Sequence, residues 1–573
     1  EPLLIAREPR LESYLGLLRD FREWVLTEVD AQANYTDRYA PPALQTYDRD
    51  GEVVNRIVAN PVYDKQHQEC YRRGIIGLPY KESAPHLLSF TMGFLLSQAD
   101  ISLHCPVTLT GAVAYVLGYH ADEKLRTAYL HDVVCMDGKT KTGGTWATEK
   151  HGGSDVGATT TEAVRNGDKY ALHGLKWFTS NANSGLAVAT ARPDGAPAGS
   201  AGLGLYLVPS HLAEGIPNHY RIRRLKDKLG TKGLPTGEIE LLGAEAFEIA
   251  PPPDGFKMMM AALEYSRVHN AVGAAGVQRR ALREALAWAK SRDAFGHKLV
   301  EYPMVQDELL RVRVGFEAGA LLAFEAAQAL DAALPSGTTP LKPKEGLNGA
   351  PESAQQSKEG LNGVPSDQHT WLRLVTALAK YLTAEDAINS SRAALELIGG
   401  NGYTSDYPMA RILRDAQVLT VWEGPANIQA LELLRLLSPK YAGAQLYERR
   451  VREIANRLPG SLSTLQRLLD KRLTEDHEAI KVVTADQQSA QRYARKLLHR
   501  LSQSLGFALM CGRSGDAHLQ GDDRAVLTAI RYHEEIERPA IGGEDPKVQH
   551  MALELIDDEQ GMDQSYLSAG VRP

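Results

Sequence analysis

The sequence predicts an α+β fold in which a helical domain, a β domain and two further helical domains follow one another. Three observations predict this order. Long segments near the beginning, such as Arg10 to Ala31 and His86 to Leu117, carry apolar residues at the three- and four-residue spacing of helices. The middle of the chain contains short apolar runs separated by Gly, Pro, Asn and Asp, which is typical of strands. The helical spacing then returns and continues almost to the end.

The length of 573 residues is enough for three or four domains. Four strands are predicted in the β domain, and they contain Tyr170 to His173, Leu186 to Thr190, Leu203 to Val208 and Glu238 to Leu242. After them, Leu282, Leu286 and Ala289 lie on one face of an amphipathic segment that ends near Arg292. We therefore predict domains at residues 1–143, 144–252, 253–443 and 444–573.

The third domain contains an insert over residues 335–368. It holds a near-repeat, Lys344 to Pro351 and Lys358 to Pro365, that is rich in turn-forming residues and poor in large apolar ones. Such a segment predicts an exposed excursion between two helices. A docking role for the insert stays open as the alternative.

Composition excludes several classes of protein. Hydrophobic residues make up 43% and charged residues 24%, which is typical of a soluble globular protein and argues against a disordered chain. The net charge of −7 gives no overall attraction to nucleic acid or an anionic membrane. The start has no signal-peptide layout and no uninterrupted apolar span approaches ~18 residues, so we expect a cytoplasmic protein without a membrane span.

The four cysteines are scattered, and no Walker loop or Gly-rich strand-to-helix turn is present. We expect buried structural thiols and no metal site. The cysteines are Cys70, Cys105, Cys135 and Cys511.

Three short motifs are candidates for chemistry. The segment from Trp146 to Asp155 ends in Gly-Gly-Ser-Asp, and the segment from Lys176 to Ser180 reads Lys-Trp-Phe-Thr-Ser. Further on, Glu423 follows an aromatic residue and precedes a glycine, which makes its carboxylate a candidate general base. Each pattern alone has an ordinary structural explanation, as a turn, a core tryptophan or a solvated carboxylate. Their order along one chain favours a functional interpretation.

In that order the motifs resemble those of the acyl-CoA dehydrogenase family. The segment Ser291 to Gly296 is similar to that family's Arg-x-x-Phe-Gly motif, and Leu397 to Tyr403 matches its glycine-rich turn. Pro41 to Gly51 and Cys105 to Thr110 are similar to the AidB-like branch. Lys150 and His151 stand where the family usually has a Pro-Gly pair, and the Lys at position 150 also fits that branch.

The resemblance implies a fold and an activity. The fold would comprise an N-terminal helical domain, a middle β-barrel-like domain, a C-terminal four-helix bundle and an extra C-terminal helical domain. The activity would be FAD-dependent α,β-dehydrogenation of an acyl-CoA thioester. Glu423 would remove the α-proton, and a flavin is required because no amino-acid side chain accepts the β-hydride.

The resemblance also assigns the cofactor contacts. Thr148 would reach the flavin ring edge, Trp177 would lie over the ring face, and Thr179 would bind its polar edge. Arg292 and Phe295 would meet the diphosphate and adenosine of a neighbouring subunit's cofactor. The full predicted FAD set is Thr148, Gly153, Ser154, Trp177, Thr179, Arg292, Phe295, Glu396, Gly399, Gly400 and Asn427. Glu396 stands where many members carry Gln.

For the acyl-CoA substrate the resemblance implies contacts from Ser154, Arg267, Trp422 and Gly424. Some branches place their base on the helix that carries Arg267. Here the equivalent position is Ser266, and Glu264 is expected to face elsewhere.

The expected partners are an electron-transfer flavoprotein or another acceptor, and three further copies of the chain in a homotetramer. An acyl-CoA oxidase, which passes electrons to oxygen, stays an alternative. So does an AidB-like DNA- or lipid-binding flavoprotein with little dehydrogenase activity. Between Arg449 and Arg513 there are thirteen Lys or Arg against six Asp or Glu. DNA binding is nevertheless disfavoured, because no aromatic ladder accompanies these charges.

Overall fold

A computed structural model of the chain describes residues 2–334, 366–537 and 545–556. It forms two compact units. Of the described residues, the first unit contains 2–269 and 334, and the second contains 270–333, 366–537 and 545–556. The division falls within the long helix Asp254–Ser291. Most of the predicted insert, residues 335–365, lies outside the described residues.

The first unit begins with helices, as the spacing predicted, but the long segments are divided into several elements. The segment from Arg10 to Ala31 contains a 3₁₀ turn, an α-helix, a π-helical turn at Val25–Val29 and the start of a second α-helix. The segment predicted from His86 to Leu117 is two helices, because the Asp100 carboxylate caps the second by accepting a hydrogen bond from the Ser102 amide at 2.7 Å. The α-helices are Pro2–Arg7, Leu15–Trp24, Asp30–Tyr39, Pro61–Arg72, Gly77–Lys81, His86–Ser97, Ile101–Tyr119 and Glu123–Val133.

A β-hairpin that the sequence did not predict lies among these helices. Strands β1 (Ala43–Tyr47) and β2 (Val53–Val58) pair antiparallel. The side-chain amide of Asn55 donates to the Ile222 carbonyl at 2.8 Å and accepts from the Ile222 amide at 2.7 Å. This side chain thus acts as a strand partner and fixes the hairpin to the β domain.

The β domain is a closed ring of strands. Its strands are β3 (Gly143–Trp146), β4 (Glu162–Asn166), β5 (Lys169–Ser180), β6 (Leu186–Pro193), β7 (Gly204–Pro209), β8 (Tyr220–Leu225) and β9 (Thr236–Ala250). β6 pairs with both β4 and β7, so β4, β5, β9, β7 and β6 close on themselves, with β3 beside β6 and β8 beside β9. The predicted barrel-like architecture and its four predicted strands are confirmed.

The interior of this barrel combines large and small side chains. Trp146 and Tyr206 are buried against the small residues Ala187, Ala189 and Ala191 of β6. Alternating sizes let the two sides interdigitate at the density of a protein core.

Where the structure describes it, the second unit is helical except for a short hairpin, β10 (Asp293–Ala294) with β11 (His297–Lys298). The helices Pro303–Ala333 and Asp367–Ile398 pack along each other. The remaining helices are Gly400–Tyr403, Met409–Leu419, Ala426–Leu436, Gly443–Arg457, Ser463–Thr484, Gln487–Leu519, Arg524–Glu537, Pro546–His550 and Ala552–Ile556.

Arginines of the basic segment 449–513 join the helices of this unit. Arg450 contacts Glu325 at 2.8 Å and Arg513 contacts Glu317 at 2.7 Å. Glu317 and Glu325 are both buried. Breaking a buried ion pair by removing one partner is strongly destabilising, so these two arginines are held by the helix packing and are not available to a phosphate backbone.

Among the described residues, one helix, Ile101–Tyr119, is long and apolar enough to cross a membrane, but nearly all of it is buried within the fold. A core helix passes the same test of length and composition. The four cysteines are free and buried, which confirms the prediction of structural thiols.

Candidate active site

The predicted site residues fall into two sets, one in each unit. In the first unit, the structure brings the two predicted flavin motifs together. The Trp177 amide donates to the Thr148 carbonyl at 2.9 Å, and Glu149 forms an isolated β-bridge with Lys176. Residues almost thirty positions apart in sequence thus form one continuous surface.

Beneath this surface lies a buried ion pair that the sequence analysis missed. Lys176 Nζ lies 2.9 Å from Glu149 Oε1, and both side chains are almost completely inaccessible. The hydroxyls of Thr160 and Thr161 each donate to Glu149 at 2.6 Å. Lys176 also donates to the Thr190 carbonyl at 2.8 Å.

The charges of this pair are mutually stabilised. Burial opposes ionisation of Glu149, but the Lys176 charge and the hydrogen bonds from Thr160, Thr161 and Lys176 outweigh it and hold the Glu149 pKa at about 2. Burial lowers the pKa of Lys176 against the opposing charge of Glu149. The available sequence signal for this pair was Lys176, a charged residue among the strand residues of β5. A charge that becomes buried requires a partner.

Of the two glycines of the flavin motif, Gly153 lies against Thr148. A Cβ at Gly153 would lie 2.5 Å from the Thr148 hydroxyl oxygen, and Gly152 has a φ of +128°. Gly153 and Ser154 are both exposed. The motif therefore presents main chain and a hydroxyl to an approaching ligand with no side chain in the way.

Thr179 is placed differently from Trp177. Its side chain is buried, and its hydroxyl donates to the Gly237 carbonyl at 2.7 Å. The oxygen of this hydroxyl keeps only acceptor capacity for a ligand. The predicted contact of Thr179 with a flavin edge stays a prediction.

Arg267 is buried on the helix Asp254–Ser291. Its Nη1 lies 3.5 Å from Glu264 Oε2. The sequence analysis set Glu264 apart from the site, but the structure places it beside the predicted substrate-binding arginine, one helical turn away. Ser266, at the alternative base position, is buried and donates to the Ala262 carbonyl at 3.2 Å.

In the second unit, Glu423 lies in a left-handed turn. Its φ is +57° and that of Gly424 is +95°. A positive φ is uncommon for a non-glycine residue and costs backbone energy, so the surrounding structure must impose it. The Trp422 indole contributes by donating to Asn270 Oδ1 at 3.3 Å, while Asn270 donates to the Leu419 carbonyl at 3.1 Å.

Two buried side chains that the sequence analysis missed hold this turn. Lys380 donates to the Gly424 carbonyl at 2.9 Å. Gln429 donates to the carbonyls of Glu423 and Gly424 at 3.2 and 3.0 Å. Lys380 lies in an otherwise apolar stretch of the helix Asp367–Ile398. This position was the sequence signal that its side chain is buried and makes a polar contact.

The other predicted cofactor residues of this unit lie on its surface. Arg292 follows the helix Asp254–Ser291, and a Cβ on Gly399 would lie 3.5 Å from its Nη1. Gly399 has a φ of +76°, and a Cβ on Gly400 would meet open space. The structure thus places Arg292 beside the glycine-rich turn at Gly399 and Gly400, as expected if these residues bind the same cofactor.

Phe295, Glu396 and Asn427 are exposed. Phe295 occupies the turn between β10 and β11 with φ +51° and is 96% exposed. The carboxylate of Glu396 accepts a hydrogen bond from Arg392 at 2.6 Å. Asn427 lies in the first turn of the helix Ala426–Leu436.

Comparison with known families decides the identity of the fold. The acyl-CoA dehydrogenase middle-domain model matches residues 144–243, and the C-terminal-domain model matches 253–343 and 360–437. The AidB N-terminal-domain model matches 17–137, so these matches together cover more than half of the chain. The chain belongs to the acyl-CoA dehydrogenase family.

Within this acyl-CoA dehydrogenase family, the matching relatives support the AidB-like branch. Acyl-CoA dehydrogenase family member 11 of Caenorhabditis elegans is 31% identical over 501 residues, which is 85% of this chain and 74% of that protein. The putative acyl-CoA dehydrogenase AidB of Escherichia coli (strain K12) is 29% identical over 416 residues, 70% of each chain.

A solved structure supports the same fold. Caenorhabditis elegans ACDH-11 in complex with C11-CoA matches with a TM-score of 0.82 and 27% identity, covering 93% of this chain and 89% of that one. The predicted acyl-CoA dehydrogenase-like fold is therefore confirmed. Family membership supports an oxidoreductase.

Proposed function

We propose that the protein is an FAD-dependent acyl-CoA dehydrogenase that introduces a double bond between the α- and β-carbons of an acyl-CoA thioester. The observation that carries the proposal is the turn at Glu423. It puts a carboxylate in a conformation that costs energy and is held by Lys380 and Gln429. Such strain clusters at functional sites, where a group must be kept in one orientation.

The residues of both sets suit FAD. Thr148 with the small, exposed Gly153 provides a hydroxyl and an open main chain, and half-buried Trp177 provides an aromatic surface. Exposed Arg292 provides a charge for the diphosphate. When bound, FAD would accept the hydride from the substrate β-carbon. Ser154, Thr179, Phe295, Glu396, Gly399, Gly400 and Asn427 complete the proposed set.

Glu423 would accept the α-proton on its carboxylate, and the Glu423 backbone amide would polarise the thioester carbonyl. Arg267, Ser154, Trp422 and Gly424 would orient the thioester. The ACDH-11 relative was solved with C11-CoA, which makes a medium-length acyl chain the first substrate to test.

We further propose an electron-transfer flavoprotein as electron acceptor and a homotetramer as the assembly. The exposed Phe295 beside Arg292 supports the latter, since an exposed aromatic at a strained turn suits a neighbouring subunit's cofactor. Peroxide released in proportion to turnover would instead favour an oxidase. The ion-paired arginines of segment 449–513 weigh against a DNA-binding role.

The test is the absorption spectrum of the purified protein from about 300 to 550 nm, followed by anaerobic titration with short, branched and C11 acyl-CoAs. Bleaching of flavin bands by one class would establish the half-reaction. Bound flavin that no acyl-CoA bleaches would overturn the proposal in favour of a binding protein.

Glu423→Gln should retain FAD and lose flavin reduction by about 10²- to 10⁴-fold, because the positioned base is gone. Stopped-flow reduction of the loaded variant measures this loss. Glu453→Gln, which changes a partly exposed carboxylate of the C-terminal helices, is the control and should reduce at the wild-type rate. Substantial reduction in the Glu423 variant would remove its role as the base.

A further inference from the structure

Strand β5 contains a β-bulge at the tryptophan of the flavin motif. Lys176 pairs with Ile239 and Thr179 pairs with Gly237, so Trp177 and Phe178 together lie opposite Glu238. A bulge inserts one residue and changes the direction of the side chains it contains, and bulges are common beside active sites. Trp177 therefore owes its orientation to a local departure from regular pairing.

Lys226, the residue directly after β8, contacts the side chains of this bulge. Lys226 Nζ lies 3.4 Å from the centroid of the Trp177 ring and 4.9 Å from that of Phe178. It also lies 2.6 Å from Glu238 Oε1, which accepts a second hydrogen bond from Arg224 at 2.7 Å. One charged group thus contacts both aromatic residues of the bulge and the residue opposite them.

The Lys226 contact is largely withdrawn from water. The side chain of Lys226 is 12% exposed and that of Glu238 is 6% exposed. An ammonium over an indole face is attracted electrostatically by the ring, and this attraction is stronger when the pair is withdrawn from water. Because Lys226 is tied to Glu238 as well, it restricts Trp177 to one orientation.

We propose that Lys226 is a positioning residue for FAD, holding the indole of Trp177 in place and adding a fixed positive charge behind it. The inference rests on the proposed function, in which Trp177 carries the flavin. A positive charge favours the more negative, reduced form of a flavin held by Trp177. Lys226 would therefore affect both the affinity for FAD and its reduction potential.

The chain offers a matched control elsewhere in the barrel, on the paired strands β5 and β9. Lys169 lies 2.8 Å from Glu245 and its Nζ lies 5.5 Å from the centroid of the Phe247 ring. This lysine repeats the arrangement of lysine, glutamate and aromatic ring, but it lies outside the flavin motifs. A general effect of removing such a lysine from the barrel would appear equally in both variants.

The experiment compares Lys226→Met, Lys226→Arg and Lys169→Met in the full chain. Apoprotein is titrated with FAD by tryptophan-fluorescence quenching, and the reduction potential of each loaded protein is measured by dye equilibration. Lys226→Met should raise the Kd for FAD about threefold to tenfold. It should also shift the potential to a more negative value. Lys226→Arg should restore both, and Lys169→Met should change neither.

A double-mutant cycle with Trp177→Leu tests whether Lys226 acts through Trp177. Lys226→Met should weaken FAD binding less in the Trp177→Leu background than in the wild type. Equal effects in both backgrounds, or an unchanged Kd and potential in Lys226→Met, would overturn the inference. A wild-type flavin that acyl-CoA fails to bleach would overturn the proposed function but leave this binding comparison intact.

Discussion

Each of the two units contains a buried lysine among its candidate site residues, and the two lysines have different partners. In the β barrel, Lys176 faces the carboxylate of Glu149, whose other hydrogen bonds come from Thr160 and Thr161. In the helical unit, Lys380 donates to the main-chain carbonyl of Gly424, directly after the proposed base.

Because their partners differ, we expect Lys176 to contribute to the stability of the fold and Lys380 to the rate of the reaction. The Glu149–Lys176 pair lies beneath the flavin motifs and satisfies charges inside the barrel, so we expect its loss to cost folding free energy. The contacts around Gly424 hold a strained turn, so we expect their loss to cost orientation of Glu423 and hence rate. Two changes to the molecule, Glu149→Gln and Gly424→Ala, test this distinction, and a pH series tests the stability of the first unit separately.

The largest effect is expected from Glu149→Gln. It leaves the Lys176 charge buried and uncompensated, which costs about 3–5 kcal/mol of unfolding free energy. Thermal or urea unfolding of the apoprotein measures this loss. The control Glu245→Gln breaks a partly exposed pair with Lys169 and should cost no more than about 1 kcal/mol. Equal losses in the two variants would contradict a special role for the buried pair.

Acid should destabilise the first unit through a cluster of buried histidines. Burial lowers the pKa of His86 to about 3 and of His104 to about 4, and burial with the neighbouring His104 and His86 lowers that of His269. The unfolded chain therefore binds more protons below pH 6.5, and stability falls as the pH falls. Three such groups predict a loss of about 4 kcal/mol between pH 7.5 and 5.5.

Urea unfolding midpoints across this range measure the histidine effect. His104→Leu should reduce this loss by about 1.4 kcal/mol over the range from pH 7.5 to 5.5, because one of the three titrating groups is removed. His211→Gln, at an exposed position, should leave the slope unchanged. A wild-type slope in His104→Leu would show that His104 does not titrate on unfolding.

Gly424→Ala is expected to have the smallest effect on the free energy of unfolding. It should nevertheless clearly lower the rate of flavin reduction. A Cβ there would lie 2.9 Å from Gln429 Nε2, at a φ of +95° that L-residues rarely adopt. The added strain of about 1–3 kcal/mol should move the Glu423 turn and slow flavin reduction by about tenfold or more. Anaerobic stopped-flow reduction by the best acyl-CoA measures it.

Gly315→Ala provides the control for this change, because it lies in the helix Pro303–Ala333 with nothing within 4 Å of the added methyl group. It should reduce at the wild-type rate and lose no stability. If Gly424→Ala lost stability but kept its rate of reduction, the turn would be structural and the comparison between the two lysines would fail.

Much of the fold followed from patterns that are local in sequence. Period-two runs bounded by turn residues identified four strands of the barrel, and helical spacing identified the helical regions. The hairpin β1–β2 was missed because its attachment depends on Asn55 meeting Ile222, a contact 167 positions away. Helix boundaries near Val25 and Asp100 were missed because caps and π-helical turns change the hydrophobic spacing little.

The sequence by itself determined the order of elements, the motifs around Thr148, Trp177 and Glu423, and the resemblance to a family that the comparisons support. Only the tertiary structure decided which charges are buried and what each one faces. Glu149 meets Lys176, Lys380 meets the turn after Glu423, and Lys226 enters the bulge at Trp177. The physical reason is that a charge is costly to bury alone, so its role depends on partners brought near by folding and not by sequence.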